Sequence, residues 1–255
     1  MNFKSYMITF TQDPKRLANF NEAKSKLEGL ELFEAVNAIK HYEHYESIDK
    51  SNGFHTQDYL DKWKWLPGKL GCNLSYVKLL KDYYRDYNFY PNFPEWLIVL
   101  EDDVEVISKD SKNTFDSILS KASELDLDFV KFFITTGKEN IDGNIVEFSP
   151  ELQFRDSNLI SDGFFKLIPS WGTVAQAFHI KSIAKLLSEL PWNDHIDQVL
   201  MRPPIFNSIN AAAYKQDFLT YCGAKSLEEA DEGYGSLIFN NSTDGKVDWR
   251  KLTRI

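Results

Sequence analysis

The stretch "LIVLEDDVEV", residues 97–106, sets three adjacent carboxylates, Glu101, Asp102 and Asp103, directly behind four apolar residues. Like charges this close repel one another and lose solvation, so the trio needs a cation or hydrogen-bond donors to hold it. Side chains alternate along an extended chain, which sends Glu101 and Asp103 to one side and Asp102 to the other. A pair of this kind can hold Mg2+ or Mn2+, which takes one or two protein carboxylates and completes its shell with water and phosphate oxygens. Asp102 is then free to accept a ribose hydroxyl. The competing reading is a solvated acidic turn. A receiver-domain reading would need another apolar strand ending in Asp further along, and the corresponding region, "NIVEFSPELQFRD", supplies none. A second acidic group lies in "PWNDHIDQVL": Asp194 and Asp197 are three positions apart, share a face of a helical turn and flank His195. Asp194 could equally cap the turn that follows.

The elements around these residues describe an open α/β sheet, in which the ligand crevice lies beyond the carboxyl ends of the strands. Residues 4–10 alternate as a strand, Asp13 and Pro14 open a helix that Gly29 ends, and residues 30–36 form a second strand. This βαβ opening implies a parallel sheet and a right-handed crossover. Its first turn lacks the glycine signature of a dinucleotide fold. Residues 37–66 have no clean periodicity and read as an irregular excursion. From Pro67, Leu70, Leu74, Val77, Leu80 and Tyr84 mark one face of a long helix, followed by the buried strand that delivers the trio. A helix over 114–125, a strand at 128–133, a hairpin pivoting on Asp142 and Gly143, strands at 163–168 and 174–180, and a helix over 182–190 follow.

A chain of 255 residues is long enough for one large α/β domain, and 43% hydrophobic with 26% charged residues is a globular composition. The net charge of -9 offers no basic footprint for nucleic acid. No apolar run suggests a membrane span and the first residues do not resemble a secretion signal, so a cytoplasmic protein is expected. Cys72 and Cys222 read as reduced, packed thiols. The 15% aromatic content suits a large core, with Trp63, Trp65, Trp171 and Trp192 as possible stacking faces for sugars. The last ten residues, "KVDWRKLTRI", combine basic and apolar groups that could dock on an anionic membrane surface, or form a packed or disordered tail.

Three segments, in matching order and spacing, resemble glycosyltransferase family 25, the bacterial lipopolysaccharide and lipooligosaccharide transferases related to collagen galactosyltransferases. They are "YMITFTQDPKRLANF" leading to "FEAVNA", then "LPGKLGCNLSYVKLLKD", then "WLIVLEDDVEV". "WGTVAQAFHIKSIAKLLSELPWNDHIDQVL" is similar more loosely. The resemblance implies a GT-A-like, Rossmann-like fold: a mostly parallel central sheet flanked by helices, with a smaller C-terminal part. Residues 1–110 would bind the nucleotide sugar, and 111–255 the acceptor. It further implies a UDP-sugar donor of galactose or glucose, inversion at the anomeric carbon, Mn2+ or Mg2+, and a lipid-linked oligosaccharide acceptor. By the same resemblance Asp103 is the direct metal ligand, with Glu101 or Asp102 on the metal's waters or the ribose and His195 as a further candidate ligand. Asp197 is the preferred base, ahead of Asp194. Thr9, Phe10, Arg16, Asn37, Ser75 and Asp102 are expected around the donor, Arg16 as a partner for phosphate. Lys69 and Tyr76 depart from the family pattern, which often has Glu and usually His at those places. The alternative to a transferase is a sugar-nucleotide or glycan-binding module without turnover.

Overall fold

The computed structural model describes residues 3–64, 67–134, 136–141, 143–170 and 172–222. The chain opens with β1 (Phe3–Thr9), α1 (Pro14–Lys26) and β2 (Leu30–Glu34), and β1 pairs in parallel with β2. Asp13 caps α1 by accepting from the amides of Lys15 and Arg16, with Pro14 in the first turn. The stretch expected to be irregular holds two helices, α2 (Tyr42–Asn52) and α3 (Gln57–Trp63). Both pack on the next helix, α4 (Pro67–Phe89), and the buried residue of α2 is Asp49, which breaks the apolar rhythm by which such helices are recognised.

After α4 come β3 (Trp96–Glu101), β4 (Val104–Val106), α5 (Ser111–Glu124) and β5 (Phe129–Lys131). The hairpin β6 (Gly137–Ile141) and β7 (Asn144–Phe148), α6 (Pro150–Gln153), β8 (Leu159–Ser161) and β9 (Phe164–Lys166) follow. The described chain ends with β10 (Ala175–His179), α7 (Ile180–Ser188), α8 (Ile196–Met201), α9 (Pro203–Phe206), β11 (Ala211–Tyr214) and β12 (Leu219–Tyr221).

Eight strands form the central sheet in the order β2-β1-β3-β10-β5-β11-β9-β8. It is mostly parallel: β9 and β10 run against the other six. The reversed β10 lies in the middle, hydrogen-bonded to β3 on one side and β5 on the other. Along β3, Leu97 and Val99 enter the core beneath α4 and α7, while Trp96, Ile98 and Leu100 enter the core beneath α1 and α5. Both faces are covered, so the strand is apolar without alternation, and all five of these side chains are fully buried. Burial of each stabilises the fold by about 1.5–3 kcal/mol. β12 pairs with β4 and closes the sequence back against the acidic trio. Among the described residues no helix is long and apolar enough to cross a membrane. The basic tail, residues 246–255, lies outside the described residues.

Candidate active site

The alternation that divides β3 between two cores also divides the trio. Glu101 continues the face of Leu97 and Val99 and meets α4, where Tyr76 donates its hydroxyl to Oε1 at 3.1 Å, joined by the hydroxyl of Thr173. Asp102 turns toward α1: the Phe10 amide donates to its Oδ2 at 2.9 Å and the Arg16 guanidinium pairs with its Oδ1. Asn19 of α1 donates to the carbonyls of Asp102 (3.0 Å) and Val104 (2.7 Å), fixing the turn. Asp103 has the Tyr221 hydroxyl on its carboxylate, yet its Oδ1 is buried and has no hydrogen-bond partner. Burial, together with the charge of Asp103, pushes the Glu101 carboxyl well above the ordinary carboxylate range. Burial and the charge of Asp102 raise Asp103 in the same way.

The residues expected at the donor divide into those that line a cleft and those that build its wall. Phe10, Arg16, Asn37, Asp102 and Asp103 all line one cleft between α1, the stretch after β2, and α4. Arg16 and Asp102, expected as separate ligand contacts, bind each other. Asn37 donates to Gln12 at 3.3 Å and accepts from the Lys40 amide at 3.3 Å. Thr9 is a correction: it is fully buried outside the cleft, its hydroxyl donating to the Met7 carbonyl at 3.3 Å. Ser75 also lines the cleft, and its hydroxyl donates to Gly71 O (2.7 Å) and accepts from the Val36 amide (2.8 Å), so it braces the wall it belongs to. A Cβ on Gly71 would lie 2.5 Å from the Val36 carbonyl, so glycine permits this approach of α4.

The second acidic group lies on the other side of β10. Asp197, in the first turn of α8, accepts from the Gly172 amide at 3.3 Å and from the Gln198 amide at 2.8 Å. Asp194 is paired with Arg202 at 2.7 Å and accepts from the His195 amide at 3.2 Å, so its carboxylate is occupied. His195 joins aromatic rings, 5.0 Å from Trp63 and 5.5 Å from Tyr59, with its Nδ1 3.3 Å from the Tyr59 hydroxyl. Burial holds its imidazole well below the usual histidine range. Among the described residues no three His, Cys, Asp or Glu side chains converge as a ligand set, so His195 does not complete one with Glu101 and Asp103. Lys69 lies 3.4 Å from the centre of the Trp63 ring, covering a face expected to receive sugar. Trp192 is core, its indole bonded to the Leu186 carbonyl at 3.0 Å, and Trp65 and Trp171 lie outside the described residues. Cys72 and Cys222 are both free thiols, and Cys222 is exposed where a packed thiol was expected.

Four further residues complete the site. Asn73, buried on α4, donates to the Asp194 carbonyl (3.1 Å) and accepts from the Ile196 amide (3.1 Å), clamping the approach to α8. Thr173 and Tyr221 hold Glu101 and Asp103. Lys131 is buried at the end of β5 between the two acidic groups; burial lowers its pKa to about 7 against the opposing charges of Asp197 and Glu101. A lysine inside the apolar run "DFVKFFI" was a readable signal for it. Asn73, Thr173 and Tyr221 carried none, being ordinary polar residues whose partners are remote in sequence.

Strand ends that carry a carboxylate with one buried, unpartnered oxygen beside a guanidinium-lined cleft, with a second acid and a buried lysine across β10, suit an enzyme that transfers a group from an anionic ligand. The chain belongs to glycosyltransferase family 25 (LPS biosynthesis protein), whose model matches residues 2–163, and is thus a glycosyltransferase. Its helix-flanked sheet is the GT-A-like architecture that the resemblance implies. A comparison with curated protein sequences finds no match. Among solved structures, a cytidylyltransferase from Leptospira borgpetersenii is similar at 12% identity and a TM-score of 0.45, covering 100% of this chain and 96% of its own. S. aureus TarS 1-349 is similar at 12% identity and 0.44, covering 91% and 63%. Mouse xyloside xylosyltransferase 1 follows at 10% and 0.37, covering 97% and 95%. These are loose likenesses and add nothing to the family assignment.

Proposed function

We propose that this glycosyltransferase moves a hexose, galactose or glucose, from a UDP-sugar to the sugar of a lipid-linked lipooligosaccharide or lipopolysaccharide acceptor, with inversion. The carrying observation is the buried Oδ1 of Asp103, without a partner, next to Glu101 at the mouth of the cleft. Buried polar atoms are normally satisfied, and a lone carboxylate oxygen among acids fits a hard divalent cation. Asp103 would hold Mn2+ or Mg2+ directly, and Glu101, oriented by Tyr76 and Thr173, would serve its waters. When bound, such an ion supplies positive charge to the departing diphosphate.

The chain's own residues do the rest. Arg16, fixed by Asp102, presents positive charge toward the diphosphate, and Phe10 and Asn37 flank the nucleoside. Asp197 takes the proton of the acceptor hydroxyl, its carboxylate oriented by the Gly172 amide. The family's description as LPS biosynthesis protein supports a glycolipid acceptor, and with it a reaction at the cytoplasmic membrane surface. Calorimetric titration with UDP, with and without Mn2+, tests the reading: affinity should rise about tenfold or more with the ion, which is 1.4 kcal/mol. Equal affinities would overturn the metal site. Release of UDP from UDP-galactose or UDP-glucose then identifies the donor.

A further inference from the structure

Ser170, Gly172 and Thr173 lie in one short stretch ahead of β10, and each is held by different elements. Thr173 donates its hydroxyl to Glu101 on β3, and its carbonyl accepts from Tyr76 on α4 at 2.9 Å. The Gly172 amide donates to Asp197 on α8 at 3.3 Å. Ser170 is held from β5, where Lys131 donates through Nζ to its carbonyl and, at 3.1 Å, to its hydroxyl. The stretch thus spans from the carboxylate placed beside the metal to the carboxylate placed at the acceptor.

The reversed direction of β10 makes this possible. Its first residue, Ala175, is paired with Leu100 near the end of β3, and Gln176 with Lys131 at the end of β5. The chain entering β10 therefore crosses the edge where its two neighbours finish. Gly172 takes φ of 89°, in the left-handed region that glycine adopts without a Cβ penalty. Lys131 is 4% exposed, and a buried ammonium is unfavourable unless its hydrogen bonds are satisfied. An unbranched apolar side chain would fill the same space without that penalty. The bonds to Ser170, and a positive charge facing Asp197 and Glu101, are what lysine adds.

We propose that Lys131 is a positioning residue: by anchoring Ser170 it fixes the stretch that sets Glu101 and Asp197 relative to each other. The inference rests on the roles given to those two carboxylates above.

Lys131→Met keeps length and packing while removing the bonds to Ser170 and the ammonium charge; Lys131→Gln removes the charge alone of the two. The expected result for Lys131→Met is a fall in kcat of about 10²-fold, the scale of a displacement of about 1 Å, and a smaller change in donor KM, because of the cleft lining only Glu101 is tied to this stretch through a side chain that the stretch supplies. Lys131→Gln, which retains an N–H donor, should recover part of the loss. Ser170→Ala leaves the carbonyl bond and should lower kcat by less than about threefold. Amide hydrogen exchange should rise around residues 167–176 in Lys131→Met and stay level elsewhere. Unchanged kcat overturns the proposal, as does a chain-wide rise in exchange with no local excess. If the wild-type protein turns over no UDP-sugar, the functional reading fails, and exchange alone then decides: a local rise supports the anchor and no rise overturns it.

Discussion

Asp197 is the residue whose environment makes the cleanest test of charge against shape. Its Oδ2 accepts from the Gly172 amide and its Oδ1 from the Gln198 amide; Asp197→Asn can keep the first of these through its carbonyl, at the cost of the second, while removing the proposed base. Turnover should fall by about 10²-fold or more, measured as UDP release in the presence of acceptor, and near-normal turnover would reject the role. At this scale the residue types were legible and several of the roles were not. Thr9, Ser75 and Asp194 were sensible choices by position, yet each has its polar side-chain group engaged within the protein. Pairing of Arg16 with Asp102 joins residues 86 positions apart, which no local pattern reveals.

The long helix α4 organises the site more than any other element. From it Gly71 and Ser75 meet the Val36 backbone, Asn73 clamps the approach to α8, and Tyr76 reaches Glu101. Gly71→Ala would force a Cβ to 2.5 Å from a backbone carbonyl, which cannot rotate away as a side chain would. We expect a loss of about 1–3 kcal/mol in urea denaturation, with weakened donor binding because the cleft wall is displaced. Stability equal to wild type would show that α4 can shift without consequence. Periodicity and capping made β1, α1, α4 and β3 readable, since each has a single dominant apolar face or run. The helix α2 was not readable, because its buried residue is Asp49, paired with His55, where an apolar residue would have marked an inner face, and α3, at seven residues, is too short to show a period. The direction of β10 was equally hidden: an apolar strand looks the same read either way until its partners are known.

For the molecule as a whole, an acid pair enclosed between two cores ties folding to pH. Burial, with the charge of Asp103 beside Glu101 and of Asp102 beside Asp103, raises both carboxyls above the ordinary carboxylate range, so the native protein retains protons that the unfolded chain releases. The stabilisation from this pair is complete below about pH 4 and is lost as pH rises through the raised values, about 6 for Asp103 and about 8 for Glu101. In metal-free buffer, the urea midpoint of the wild-type protein should therefore decline over that range relative to Glu101→Gln. Parallel curves for the two proteins would remove the pair as the source.

The place of β10 also bears on how this enzyme can be divided. The family match ends at residue 163, but the sheet's interior is completed by a strand that begins at Ala175. A fragment excised at that boundary would leave β3 and β5 without the neighbour between them, expose two rows of unpaired backbone groups and lose Thr173 and Asp197 together. The match marks where kinship is detectable, while the smallest foldable piece is set by a later part of the chain.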